Sequence, residues 1–424
     1  MRIEIRNGRV IDPAVGFDGA ASVCIAQGRV VAVGAPPAGF AAERVIDAAG
    51  RVVCPGLVDV AVRLREPGLE YKATLESELR AAVAGGVTSL ACLPDTDPPL
   101  DEPGLVEMLK DRARRLDRAH VYPIGALTVG LAGVELTEMG ELAEAGCVAF
   151  SQAEAALTDT QVLLRAMQYA ATFGHRVWLR PQDPYLGRAG VAHDGEVATR
   201  LGLPGIPVAA EVIALASIFA LMRETGARVH VCRLSSAQGV EMVRAARRDG
   251  LPVTCDVGVH HLHLCDVDIG WFDTHCHLVP PLRGTRDRAA LRAGLADGTI
   301  DLVCSDHAPV DEDGKQVPFG ESEPGATGLE LLLPLVLKWA QESEVPLARA
   351  LACVTSAPAA VLDCPGGRLA PGAPADLCIF DPEADWVVGA AELASQGRNT
   401  PFAGLELTGR ACTTLVGGKV VFER

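Results

Sequence analysis

Apolar runs of strand length alternate with helical patterns between Pro55 and Gly366. The helical stretches carry ordinary boundary signals, a Gly-Gly stop after LESELRAAVA and a proline at the start of PGLVEMLKDRARRL. Repeated strand–helix units in this number predict an α/β fold, a closed (β/α)8 TIM-type barrel over residues 55–366. The eight predicted strands are LVDVAV (57–62), VTSLACL (87–93), HVYPIGA (120–126), CVAFS (147–151), RVWLR (176–180), RVHVCRL (228–234), PVTCDVG (252–258) and DLVCS (301–305).

The two ends of the chain show a different pattern. Residues 1–54 hold short alternating or β-branched runs separated by Gly and Asn-Gly, which is typical of β-hairpins. Residues 367–424 return to this pattern in GRLAPGAPADLCIFDP and GRACTTLVGGKVVFER. We therefore expect both ends to build one small β-sandwich beside the barrel.

In a (β/α)8 barrel the chemistry lies at the C-terminal ends of the strands. The residues at those ends form the candidate site, derived from spacing alone. They are Arg63, Asp95, Thr128, Gln152, Arg180, Arg233, His260 and Asp306.

Composition limits the class of partner. A net charge of −16 argues against nucleic acid and anionic membranes as partners and favours small molecules or proteins. The first residues, MRIEIRNGRVID, lack the features of a secretory signal, and no uncharged apolar run is long enough to span a membrane. The 13 cysteines are scattered singly, as in proteins of a reducing compartment. These features predict a cytoplasmic protein.

Several motifs are similar to those of the dihydroorotases, which belong to the cyclic amidohydrolase superfamily. The resemblance covers nearly the whole chain and includes PGLVD, LREPG, AAVAGGVTSLACLPDT, YPIGALTVGLAG, SDHAP, GRLAPGAPADL and GRNTPFAG in the order of that family. It implies an amidohydrolase barrel, and in active relatives it implies two zinc ions that generate a hydroxide. The matching first-strand motif of the family reads Asp-x-His-x-His-Leu-Arg-Glu.

This chain departs from the family at the metal positions. The positions that match the family's metal ligands are Ala61, Arg63, Gln152, Arg180, Arg233 and Asp306. Five of these six have lost the family's ligand, and an arginine has no lone pair to offer a metal. We therefore expect no bound zinc, no other cofactor and no catalytic residue, with Asp306 as a vestige.

The substrate-binding groups are also altered. Arg65 is kept, but Asp95 and Val279 stand where the resemblance implies asparagines. Asp95 would repel a substrate carboxylate that Arg65 would attract. Arg65 is therefore expected to be a vestigial substrate group and Asp95 an altered one.

Three interpretations of Arg63, Arg180 and Arg233 are open. They could be solvated surface residues, a salt-bridged plug in the vacated metal space, or a site for an anion. We favour the plug, because unpaired buried charge is costly. The predicted counter-ions are Asp306 and nearby carboxylates such as Glu66, Asp59 or Asp183.

The histidines and cysteines near the strand ends are expected to be structural. His260, His261 and His263 cannot all enter one site if they lie on a strand, since alternate residues point to opposite faces. The HxH pair at His275 and His277 lies beyond strand seven, far in sequence from a suitable carboxylate. His307 is expected to support its loop, and the thiols of Cys232 and Cys304 to be inert.

Two functions from different classes remain. The chain most resembles the degenerate dihydroorotase homologues that accompany aspartate carbamoyltransferase in some bacteria. That resemblance implies a catalytically inactive subunit that binds the transferase's catalytic chain in pyrimidine biosynthesis, and we also expect a homo-oligomer. The alternative is an active cyclic amidohydrolase, a dihydroorotase, with an unusual or reduced metal site.

Overall fold

The structure, a computed structural model, describes residues 1–424. The chain begins with short strands joined by tight turns, as the alternation of its first residues predicts. These strands are β1 (Arg2–Asp12), β2 (Phe17–Ala26), β3 (Arg29–Gly34), β4 (Arg44–Asp47) and β5 (Val52–Pro55).

The central region forms the predicted barrel. Its strands are β6 (Leu57–Val62), β7 (Val87–Cys92), β8 (His120–Ala126), β9 (Ala149–Ser151), β10 (Arg176–Leu179), β11 (Ala192–His193), β12 (Gly205–Ile206), β13 (Arg228–Val231), β14 (Val253–Gly258) and β15 (Leu302–Cys304). Eight of them are parallel and lie in the order β6-β7-β8-β9-β10-β13-β14-β15, and a bridge between Val62 and His307 joins the last strand to the first. All eight predicted barrel strands are present, and β11 and β12 form a separate two-stranded pair.

Helices surround these strands. The first begins at a capping box between Thr74 and Ser77 and ends at the predicted Gly-Gly pair, where Gly86 has a φ of 84°. The helices are α1 (Leu75–Ala84), α2 (Pro103–Leu116), α3 (Met139–Ala145), α4 (Thr160–Phe173), α5 (Glu196–Leu201), α6 (Val208–Thr225), α7 (Ala237–Arg248), α8 (Thr285–Ala296), α9 (Leu332–Glu342), α10 (Leu347–Ala352) and α11 (Ser356–Leu362). None of them is both long enough and apolar enough to cross a membrane.

Short 3₁₀ helices shape the loops at the ends of the barrel strands. They are Val129–Leu131, Val259–Leu262, Asp266–Ile269, Thr274–Cys276, Asp313–Lys315 and Phe319–Glu321. The second of them corrects one expectation, because His260 and His261 lie in a helical turn after β14 rather than on an extended strand.

The C-terminal strands return to the sheet of the N-terminus. They are β16 (Leu377–Val387), β17 (Glu406–Val416) and β18 (Lys419–Glu423). Strand β16 pairs with β5, so residues from both ends share one eight-stranded sheet. Along β16, Leu377 and Ile379 enter the sheet's own core of 14 buried residues, whereas Cys378 and Phe380 face the main core. Alternate residues of β16 thus face opposite sides of the sheet, and one of these sides packs against the barrel.

Candidate functional site

Three buried arginines stand at the C-terminal ends of the barrel strands. Arg63 follows β6, Arg180 follows β10 and Arg233 lies two residues beyond β13. Their side chains are only 7%, 7% and 3% exposed. They are therefore not solvated surface residues, and each must have a partner for its charge.

Glu154 is the carboxylate that joins the three arginines. It lies three residues beyond β9, after Ala153, whose φ of 48° bends the chain sharply. Its carboxylate forms ion pairs with Arg63, Arg180 and Arg233. Burial acts to raise the pKa of Glu154, but the three guanidiniums outweigh it and hold the pKa well below its usual range.

Two further carboxylates complete the group. Asp306 Oδ1 accepts from Arg233 Nη1 at 2.9 Å and from Arg63 Nη1 at 3.3 Å. Asp95 Oδ2 accepts from Arg63 Nε at 2.7 Å. We call this set the arginine cluster, and it consists of Arg63, Arg180, Arg233, Asp95, Glu154 and Asp306.

The arginine cluster has the arrangement that the plug interpretation predicts. Its three guanidiniums face three carboxylates, so it carries no excess positive charge to attract an anion. Arg233 and Asp306 both adopt left-handed backbone, with φ values of 57° and 46°. Non-glycine residues rarely adopt this conformation unless their surroundings impose it.

The three predicted auxiliary counter-ions were wrong. Glu66 pairs with Arg112, and Asp183 accepts from backbone N–H groups in its own loop. Asp59 Oδ1 accepts from the backbone of Ala61 at 3.2 Å and of Ser305 at 3.1 Å. Burial raises the pKa of Asp59 to about 6. Each of these carboxylates supports backbone or a neighbouring helix, so none of them reaches the cluster.

Two of the six positions predicted to match metal ligands lie outside these ion pairs. Gln152 Nε2 donates to Thr128 Oγ1 at 2.8 Å and to the carbonyl of Leu131 at 2.8 Å. Ala61 is 4% exposed, and its carbonyl accepts from the backbone of His307. Gln152 therefore fixes a loop, and Ala61 brings no polar side chain to the barrel mouth.

Arg65 and Asp95, expected to be a vestigial and an altered substrate group, point to different partners. Arg65 Nε donates to the carbonyl of Pro309 at 2.9 Å, and its Nη2 lies 3.9 Å from Glu323. Asp95 pairs with Arg63. Both charges are thus used within the protein.

The histidines near the mouth lie in separate surroundings. His260 is 1% exposed and stacks on Phe402 with ring centroids 5.5 Å apart, and burial lowers its pKa to about 4. His261 Nε2 lies 3.1 Å from the carbonyl of Pro280, and His263 Nε2 lies 2.9 Å from that of Leu335. Each imidazole therefore has its own structural contact.

His277 and His307 also have partners of their own. His277 Nδ1 lies 2.9 Å from Ser322 Oγ, and His275 is half-buried. His307 Nδ1 accepts from the backbone of Gly328 at 3.1 Å, so its Nε2 donates to Glu78 at 2.6 Å. His307 thus ties the loop after β15 to α1, as expected.

One group of possible metal ligands lies deeper in the barrel and is absent from the predicted set. His230, Cys232 and Asp256 bring their ligand atoms within 4.8 Å of one another. However, His230 Nε2 lies 2.9 Å from Asp256 Oδ2, and Asp256 Oδ1 accepts from the backbone of Arg233 at 2.8 Å. Burial raises the pKa of the Cys232 and Cys304 thiols well above their usual value. These groups form a hydrogen-bonded layer of unreactive side chains.

Comparisons with known proteins identify the family. The family model described as Dihydro-orotase-like matches residues 50–239. A dihydroorotase-like protein of Pseudomonas aeruginosa is 46% identical, and the match covers 100% of both chains. A dihydroorotase of Syntrophotalea carbinolica is 43% identical over 100% of this chain and 99% of its own.

A solved structure agrees with this fold. The L-hydantoinase (dihydropyrimidinase) from Arthrobacter aurescens superposes with a TM-score of 0.88 at 25% identity, over 99% of this chain and 96% of its own. Together with the full-length relatives, this similarity shows that the chain belongs to the dihydroorotase-like family of amidohydrolases.

Proposed function

We propose that this chain is a catalytically silent dihydroorotase-like subunit that supports assembly of aspartate carbamoyltransferase. The observation that carries the proposed lack of catalysis is the arginine cluster, in which guanidiniums stand at three positions that match metal ligands. A barrel that keeps its fold while its metal-ligand positions are altered favours a binding role. The resemblance to transferase-associated homologues favours aspartate carbamoyltransferase as the partner.

The residues present do not fit a two-zinc centre. Such a centre needs lone-pair donors, usually histidines and carboxylates. Arg63, Arg180 and Arg233 have none, and Asp306 is engaged by two guanidiniums. No hydrolytic step is therefore assigned to this site.

A working cyclic amidohydrolase with a reduced metal site is the second candidate. It is favoured by relatives that bear the name dihydroorotase at 43% identity. It would need a metal held by Asp306 with a histidine. His260 Nε2 and His261 Nδ1 have no hydrogen-bond partner, but Asp306 is already engaged by Arg63 and Arg233. The ligand set therefore favours the silent subunit.

The purified protein should contain no stoichiometric zinc and should not interconvert dihydroorotate and carbamoyl aspartate. Elemental analysis and a dihydroorotate assay check this, with an active zinc-dependent dihydroorotase measured in parallel as the control. One or two tightly held metal ions per chain, or a rate that disappears in Asp306→Ala, would support the second candidate instead.

Co-expression with the aspartate carbamoyltransferase of the same organism should give one complex of fixed ratio. A stable complex needs about 1,000 Å² or more of buried surface, so it should survive size-exclusion chromatography at micromolar concentration. The variant Asp306→Asn, if folded, should elute with the transferase as the wild type does, because its side chain is only 10% exposed. Separate elution of the two proteins, with a transferase that is fully active alone, would refute the assembly role.

A further inference from the structure

A cavity of about 650 Å³ opens at the end of the barrel opposite the arginine cluster. Its wall includes Arg176, Arg228 and Val253, the first residues of β10, β13 and β14. The end of α8 and parts of α10 and α11 complete it. Its volume lies within the range of small-molecule sites, about 300–1,000 Å³.

The charged groups of the wall are three arginines and two aspartates. The two aspartates, Asp297 and Asp301, already pair with arginines outside the wall. Asp297 Oδ2 accepts from Arg244 Nη2 at 2.7 Å, and Asp301 pairs with Arg247. Both negative charges of the wall are thus neutralised by arginines that do not line the cavity.

The arginines of the wall are not neutralised in the same way. Arg228 donates to the carbonyl of Gly174, and Arg349 Nη2 donates to the carbonyl of Leu295 at 2.8 Å. Neither of them has a carboxylate within ion-pair distance. Arg176 lies 3.4 Å from Asp363, whose side chain is 80% exposed. The cavity therefore carries unpaired positive charge in a protein whose net charge is −16.

The inner wall is aromatic. Trp178 and His230 are register partners on β10 and β13, with ring centroids 4.9 Å apart. Both nitrogens of His230 have partners, at Thr254 Oγ1 and Asp256 Oδ2. Trp178 is 1% exposed, yet its indole Nε1 has no acceptor. This atom is shielded from solvent, so the accessible apolar surface of the wall is provided by residues such as Leu251 and Pro252.

We propose that this cavity binds a small organic oxyanion, with an apolar ring against Leu251 and Pro252 and a carboxylate or phosphate held by the rim arginines. Guanidinium groups suit both oxyanions, since their N–H donors match two oxygens at once. The site shares no residue with the arginine cluster, so it does not depend on the proposed function. It stands at the end of the barrel where active sites are not built.

Calorimetric titration of the full chain tests the proposal with four probes. They are 1-naphthyl phosphate, 1-naphthoate, the uncharged 1-naphthol and inorganic phosphate. At least one of the two naphthyl anions should bind once per chain, with a Kd at least tenfold lower than those of 1-naphthol and inorganic phosphate. The tighter of the two identifies the preferred oxyanion. Binding should also change the tryptophan fluorescence, and Trp178→Phe should remove that change.

Variants locate the site. The double variant Arg228→Gln/Arg349→Gln should raise the Kd at least tenfold, whereas Arg200→Gln, which removes an exposed arginine on α5, should leave it unchanged. Ala296→Trp, at the end of α8, should block binding by filling the opening. The proposal fails if neither naphthyl anion binds at millimolar concentration. It also fails if binding persists unchanged in both the double variant and Ala296→Trp.

Discussion

Replacing Asp306 with asparagine is expected to lower the free energy of unfolding by about 3–5 kcal/mol, the cost typical of breaking a buried ion pair. The change leaves Arg63 and Arg233, which are 7% and 3% exposed, with less negative charge around them. Chemical denaturation followed by circular dichroism measures the difference.

A surface ion pair provides the matched control. Asp111 also pairs with two arginines, Arg114 at 3.6 Å and Arg115 at 2.6 Å, but its side chain is 46% exposed. Asp111→Asn should therefore change stability by less than about 1 kcal/mol. If Asp306→Asn costs no more than this control, the cluster fills the barrel mouth without stabilising it.

The same carboxylate makes stability depend on pH. Burial acts to raise the pKa of Asp306, but Arg233 and Arg63 outweigh it and leave the pKa below its usual value. A carboxyl whose pKa is lower in the folded state stabilises fully above its unfolded pKa of about 3.9. That contribution is lost as the pH falls through the folded pKa, and Asp306→Asn should reduce this acid sensitivity.

Glu78→Ala should also destabilise the protein by about 3–5 kcal/mol, because it leaves several buried donors without an acceptor. Glu78 is fully buried on α1. Its Oε2 accepts from His307 Nε2 and Ser395 Oγ, each at 2.6 Å. Its Oε1 accepts from Ser77 Oγ at 2.7 Å and from the backbone of Gln396 at 3.1 Å.

Glu76 is the control for this second variant. It lies in the first turn of the same helix and is exposed. Glu76→Ala should cost no more than about 1 kcal/mol, the size of a helix-dipole interaction. Equal thermal midpoints for the two variants would contradict the importance of the Glu78 contacts.

The barrel could be predicted because its strands are continuous apolar runs bounded by glycine, proline and charge. All six residues of Leu57–Val62 are buried, and their strand has the predicted bounds. The helical turn at His260 could not be predicted in the same way, since the apolar pattern continues past Gly258 and the turn follows from packing after the strand ends.

The sequence predicts which residues lie at the barrel mouth, but not which of them form ion pairs with one another. Strand spacing identified five members of the arginine cluster, because every barrel strand ends at the same face. Glu154 was missed, since its approach depends on the positive φ of Ala153, a conformation that alanine gives no reason to expect. Asp59 and Glu66 lie near Arg63 in sequence, but such nearness does not predict contacts across the barrel.

Arg63 touches Asp95, Glu154 and Asp306 at once, and this has an evolutionary consequence. Placing a histidine at this one position would take a cation from three carboxylates while Arg180 and Arg233 still occupied the neighbouring positions. The intermediate would be less stable and would still lack a metal site, so selection would have no gain to act on. Under the proposed silent role, a gain of hydrolysis would therefore require several substitutions together, a change that descendants of this chain cannot readily make.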